Sequence, residues 1–131
     1  MDTQGWVALK HRGDSLWKSA TDLSKKLLLG GVRYVTSNFV LDESYTLLMI
    51  RAGHHVAVEL GEEIRTSRVV TVVHVSEELE EEAWQLFQRH SDKEFSFTDC
   101  TSFVVMRRRG IWEAFTNDYH FEQAGYQRLL K

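Results

Sequence analysis

The chain has 131 residues, with 16 Lys and Arg against 19 Asp and Glu, a formal charge of −3, one Cys and no Pro. That length fits one domain with a real core, and 43% hydrophobic with 27% charged residues excludes a disordered tail. A negative total excludes a protein that coats nucleic acid by bulk electrostatics, but not an enzyme that cuts it at an acidic, metal-loaded site.

In chain order, Gly5 to Leu9 predicts a short helical turn. A helix follows from Ser15 to Leu29, with Asp14 as N-cap and Gly30-Gly31 as its stop. Val32 to Thr36 is a short strand, rich in β-branched and aromatic residues. Ser37 caps a helix running to Arg51, and another covers His54 to Thr66. Val69 to Val75 is nearly continuous Val, the pattern of a parallel strand covered on both faces. Ser76 caps a helix to His90 whose Leu79, Ala83, Leu86 and Phe87 form one apolar stripe.

Beyond a polar loop at Ser91 to Glu94, a helix is expected from Thr98 to Arg109, stopping at Gly110. Ile111 to Phe115 is a strand, Thr116-Asn117-Asp118 its exit loop, and Tyr126 to Leu130 a last edge strand. Strands alternating with helices predict an α/β domain spanning residues 1–131, with a mainly parallel sheet. In such sheets ligands bind beyond the carboxyl ends of the strands. No apolar run approaches the ~20 residues that span a bilayer, and Met1 to Gly5 lacks the pattern of a signal peptide. The lone Cys100 cannot form an internal disulfide, so a reducing, cytoplasmic location is expected.

Four acids are candidates for chemistry. Glu43 falls on an apolar stripe with Val40, Leu47 and Ile50, where an ionised carboxylate is costly unless paired or metal-bound. The plainer alternative is a rim residue. Asp99 opens its helix, where an acid also favours the helix dipole. Asp118 follows a strand, where an Asn-Asp turn is equally ordinary, and Asp2 adjoins the terminus. Topology can bring these acids to one sheet edge. Two carboxylates ~4 Å apart repel by about 4 kcal/mol at an effective dielectric of 20, so gathered acids require protonation or divalent cations. Oxygen ligands suit Mg²⁺ or Mn²⁺ and metal-assisted phosphodiester hydrolysis.

Four segments then carry a family resemblance: Asp2-Thr3-Gln4-Gly5-Trp6, Thr36-Ser37-Asn38-Phe39-Val40-Leu41-Asp42-Glu43, Phe95-Ser96-Phe97-Thr98-Asp99, and Phe115-Thr116-Asn117-Asp118-Tyr119-His120-Phe121. In this order, and across essentially the whole chain, they resemble the signature blocks of PIN-domain ribonucleases. The VapC-type toxins of bacterial toxin–antitoxin pairs are the most similar branch. The resemblance implies a three-layer α/β/α domain in which Asp2, Glu43, Asp99 and Asp118 bind Mg²⁺ or Mn²⁺ and orient the water that attacks RNA. It further implies small polar neighbours at Thr3, Asn38, Ser102 and Thr116, a homodimer, and an antitoxin protein as partner. The family's first acid follows a hydrophobic strand, whereas only Met1 precedes Asp2, so a truncated first strand is expected. That feature favours the alternative of a non-catalytic or decayed PIN-like interaction protein; a housekeeping RNA-processing nuclease is a further alternative.

Arg107-Arg108-Arg109 is the one compact basic cluster, a candidate RNA contact as well as favourable charge at a helix C-terminus. Trp112 and Tyr119 are candidates for base stacking if exposed. The six His residues show no His-Glu-x-x-His spacing, and no Cys-x-x-Cys pair exists, which argues against a zinc site. His120 lies near Asp118 and is placed to touch substrate, although by the resemblance its His-Phe pair is largely structural. Cys100, without an evident His partner, is read as packing rather than a nucleophile.

Overall fold

A computed structural model describes residues 1–131. The chain runs α1 (Thr3–Lys10), α2 (Trp17–Leu29), β1 (Tyr34–Ser37), α3 (Asn38–Arg51), α4 (His54–Thr66), β2 (Val70–Val73), α5 (Glu77–Arg89), α6 (Phe97–Arg109), β3 (Glu113–Ala114), α7 (His120–Gln123) and β4 (Gln127–Arg128). Every expected helix is present, and its ends follow local chemistry. Ser37 and Ser76 cap α3 and α5 by accepting from Val40 N and Leu79 N. Gly110 ends α6 in the left-handed conformation, φ 65°, that a side chain would disfavour.

Two caps differ from expectation. Asp14 does not cap α2; its Oδ1 accepts from Leu16 N in the turn before the helix, and Leu16 takes the cap position without a side-chain bond. α6 begins one residue early because Ser96 accepts from Asp99 N while the Asp99 carboxylate accepts from Ser96 N. This reciprocal capping box satisfies two donors that a helix start otherwise leaves open.

The strands are all parallel and form two pairs rather than one continuous sheet. β1 pairs with β2, Tyr34 opposite Val70 through Ser37 opposite Val73, and β3 pairs with β4. β2 is not covered on both faces: Thr71 is exposed and its three neighbours are only half-buried. Its Val content reflects an edge strand packed on one partner, a distinction that a short apolar run does not encode.

Between β1 and β3 lies no strand. Met1 and Asp2 occupy one end of the gap, where the Met1 ammonium donates to Val35 O at 2.8 Å and Asp2 N to Phe115 O at 3.3 Å. The rest is a cavity of about 420 Å³ lined by the facing edges Arg33 to Ser37 and Ile111 to Phe115. Across it Tyr34 and Phe115 meet edge-on at 5.8 Å, so the two pairs share aromatic packing without sharing a ladder.

The buried apolar residues form two cores, the first of which also takes in Phe115 and Leu130 from the β3–β4 half. Trp6, Val7, Tyr34, Val40, Leu48 and Leu60 form a core joining α1 to α4 with β1. Cys100, Phe103, Val104 and Phe121 anchor a second core joining α5, α6 and α7 with β3. Trp6 Nε1 donates to Thr36 Oγ1 at 3.2 Å, and Thr36 donates on to Met1 O, which fixes α1 and the terminal residues against the end of β1.

Candidate active site

The carboxyl ends of β1 and β3 sit on either side of Asp2. Asp2 is 5% exposed, and its Oδ2 accepts from Thr116 Oγ1 at 2.9 Å. The same hydroxyl accepts from Asp118 N at 3.0 Å, so one side chain ties the start of the chain to the loop after β3. Burial pushes the Asp2 carboxyl up to about 6, against the Thr116 and Thr3 hydrogen bonds, and the nearby Asp99 charge pushes the same way. Asp99 is raised as well, first by burial and then by Asp118, with the Ser96 backbone bond opposing.

Asp99, Asp118 and His120 come closest together: one ligand atom from each lies within 4.8 Å of the others. His120 Nδ1 is 3.4 Å from Asp99 Oδ2 and 3.3 Å from Asp118 Oδ1. Three local devices hold this group. The capping box fixes Asp99, an Asx turn in which His120 N donates to Asp118 Oδ1 at 2.9 Å fixes Asp118, and the Phe95 ring stands edge-on to the imidazole at 5.8 Å. His120, expected to be structural, is therefore in contact with two of the candidate acids. The residue order Asp-x-His was visible, but its meaning depends on Asp99 arriving from another helix.

Glu43 stands outside that group. The buried face of α3 is Val40, Leu41, Ser44 and Leu48, rotated from the expected stripe, and Ile50 is 70% exposed. Ser44 is accommodated there because its Oγ donates to Val40 O at 2.7 Å. Glu43 itself is half-buried.

The four small polar residues divide. Thr116 bridges two acids. Thr3 Oγ1 is buried beside Asp2 in the chain and has no protein partner. Asn38 is otherwise engaged: its Oδ1 accepts from Val75 N at 2.8 Å, tying the exit of β2 to the start of α3. Ser102 lines the cavity between the strand pairs.

Of the basic cluster, Arg107 pairs with Glu82 and Arg108 with Glu78 and Glu82, joining α6 to α5, while Arg109 makes no ion pair. Trp112 is 68% and Tyr119 59% exposed, and the Arg128 guanidinium lies over the Tyr119 ring at 5.9 Å. Cys100 is buried, and burial pushes its thiol up to about 11, which suits packing rather than nucleophilic work.

The donor set at the centre is two carboxylates and one imidazole, with the buried Asp2 linked to Asp118 through Thr116. Two buried acids, each shifted upward by burial and by a neighbouring carboxylate, are a site that gains from a cation. Hard oxygen donors fit a divalent ion with several waters.

Comparison with known proteins bears on what the site belongs to. The model of the PIN domain family matches residues 1–126. The chain is 44% identical over 128 residues to the 23S rRNA-specific endonuclease VapC20 of Mycobacterium tuberculosis, covering 96% of this chain and 93% of that protein, in both strain CDC 1551 / Oshkosh and strain ATCC 25618 / H37Rv. The crystal structure of M. tuberculosis VapC20, described as a Sarcin-Ricin loop cleaving toxin, superposes with a TM-score of 0.87 at 42% identity, covering 99% of this chain and 97% of that one. The acids at the ends of β1 and β3, the parallel strand pairs and this likeness over nearly the full length agree: the chain belongs to the PIN-domain family, in its VapC-type branch of ribonucleases.

Proposed function

We propose that this chain is a metal-dependent endoribonuclease acting as the toxin of a toxin–antitoxin pair, working as one domain over residues 1–131. The observation that carries the reading is the convergence of Asp99 and Asp118, with Asp2 tied to Asp118 through Thr116. Asp2, Asp99 and Asp118 would hold Mg²⁺ or Mn²⁺, with Glu43 reaching in from α3. The bound ion supplies a lowered water pKa and charge neutralisation at the scissile phosphate.

The residues of the chain have distinct tasks in this reading. Asp99, fixed by the capping box, and Asp118, fixed by its Asx turn, present carboxylate oxygens without reorganisation. The buried Asp2, whose carboxyl burial raises, would have its charge offset by a bound cation, so it serves this reading as a ligand. Thr116 holds the spacing between Asp2 and Asp118. The orphaned Thr3 hydroxyl is available to hydrogen-bond a water at the site.

The substrate proposed is structured ribosomal RNA of the sarcin–ricin type, by analogy with the relative's described activity. Exposed Tyr119 next to Asp118, exposed Trp112 and the unpaired Arg109 favour RNA over a small substrate. Arg107 and Arg108 would join them, since exposed ion pairs contribute only ~0–1 kcal/mol and exchange readily for phosphate. The same reading assigns a homodimer, an antitoxin protein partner and a cytoplasmic location. The exposed stacked pair Trp84 and Phe87 offers apolar surface to a protein partner.

The test is cleavage of an oligonucleotide carrying a sarcin–ricin loop, with Mg²⁺, with Mn²⁺ and with excess EDTA. Cleavage at one position that EDTA stops is expected; undiminished cleavage in EDTA overturns the metal assignment. A decayed PIN-like protein is favoured if neither ion supports cleavage of this or any loop RNA.

A further inference from the structure

We propose that His120 is a nitrogen ligand to the ion held by Asp99 and Asp118, and that this donor shifts the site's preference from Mg²⁺ toward Mn²⁺. The inference rests on the metal reading above and assigns to the site a residue outside its acids.

The geometry is that of ligands awaiting one ion. Two donors ~2.1 Å from an ion and at right angles stand about 3 Å apart. His120 Nδ1 stands 3.3 Å from Asp118 Oδ1 and 3.4 Å from Asp99 Oδ2, and the three donor atoms fall within 4.8 Å. The imidazole is also aimed. Its backbone N–H is spent on Asp118 Oδ1, and the Phe95 ring packs edge-on against the imidazole at 5.8 Å. The side chain is 28% exposed, so solvent reaches part of it. A merely structural histidine has no need to place one nitrogen against two acids that are each fixed by separate hydrogen bonds.

The consequence for selectivity follows from donor chemistry. Mg²⁺ demands oxygen ligands and retains its waters, whereas imidazole suits the transition divalents, which bind mixed nitrogen and oxygen sites in a rising series beginning with Mn²⁺. A carboxylate-only site would hold the two ions with little distinction of this kind. A competing role is a protonated His120 that neutralises the two carboxylates and must be displaced when an ion enters. The two roles predict opposite effects of removing the ring.

The experiment uses the full chain with Mn²⁺ and Mg²⁺ as the probes, without RNA. Isothermal titration with Mn²⁺ and with Mg²⁺ is compared for the unaltered protein, His120→Ala and His120→Gln, each checked by circular dichroism and thermal melting. Electron spin-echo modulation of the Mn²⁺ complex is recorded for the same three. Expected are ¹⁴N modulation in the unaltered protein that is lost in both variants, and Mn²⁺ affinity weakened by about tenfold or more with Mg²⁺ affinity changed much less. Mn²⁺ binding without ¹⁴N modulation, or equal or tighter Mn²⁺ binding in His120→Ala, overturns the ligand role while leaving the metal-dependent nuclease intact. No Mn²⁺ binding by the unaltered protein overturns both. If His120→Ala does not fold, the spectrum of the unaltered protein still decides, since it requires no substitution.

Discussion

Thr116 donates its hydroxyl hydrogen to Asp2 Oδ2 at 2.9 Å, across 114 positions of sequence, while its oxygen accepts from Asp118 N. Both functions of one fully buried hydroxyl are used, and both partners are candidate ligands. Thr116→Val keeps the shape and removes both bonds. It leaves the buried Asp2 carboxylate with only its Thr3 backbone bond, at about 1–3 kcal/mol. The expected outcome is a lowered melting temperature with RNA cleavage reduced at least tenfold, whereas Thr116→Ser retains most of both. Melting curves and cleavage rates of the two variants check this.

Asp99 does two jobs that one substitution separates. Asn in its place still offers an oxygen to Ser96 N, so the capping box survives and stability falls by no more than ~1 kcal/mol. The charge needed for the cation is gone, and cleavage falls by at least a hundredfold. A folded Asp99→Asn protein with full activity would remove Asp99 from the catalytic assignment.

Gly5 has no room for a side chain. A Cβ there would collide with the Phe115 carbonyl, the same oxygen that accepts from Asp2 N. Backbone cannot yield as a flexible side chain can, so Gly5→Ala is expected to destabilise by about 1–3 kcal/mol. Because the displaced contact holds Asp2, activity falls more than stability alone accounts for. Comparing cleavage at a temperature where both proteins are fully folded separates the two effects.

Asp2 also makes the metal-free protein sensitive to pH. Burial raises its folded pKa from 3.8 to about 6, so its contribution to stability is fully present below pH ~4 and is lost as pH rises toward 6. The loss is on the order of 3 kcal/mol. The Met1 ammonium, lowered from 8.0 to about 6 by burial, works in the opposite sense: its contribution is present above pH 8 and is lost as pH falls toward 6. These two groups together give a stability minimum near pH 6 in EDTA. Denaturation across pH 4–8 is expected to show it, with the acid-side limb absent in Asp2→Asn and the dip filled by added Mn²⁺.

Arg109 is the free member of its cluster, since Arg107 and Arg108 are paired with α5. Arg109→Ala is expected to weaken RNA binding several-fold with little change in turnover, and to lower the slope of log affinity against log salt by about 0.7. Binding measured at several salt concentrations tests this, and an unchanged slope removes Arg109 from the interface.

Local chemistry made much of this molecule legible in its sequence. Ser37, Ser76 and Gly110 mark helix ends because the groups they satisfy lie within three or four residues of them. The four blocks around Asp2, Glu43, Asp99 and Asp118 were enough to place the chain in its family, since each block carries its flanking residues with it. Two features were decided only in three dimensions. The buried face of α3 took in Ser44 rather than Glu43 because Ser44 could be buried with its hydroxyl bonded to Val40 O, which a count of apolar residues does not anticipate. The company of His120 was set by α6 packing against the loop after β3, through Phe103 and Phe121. Hydrogen bonds within a turn are written in neighbouring residues. A constellation drawn from residues 2, 99, 116, 118 and 120 exists only once packing has closed the chain on itself, and the strand gap beside it is likewise a property of the assembled elements.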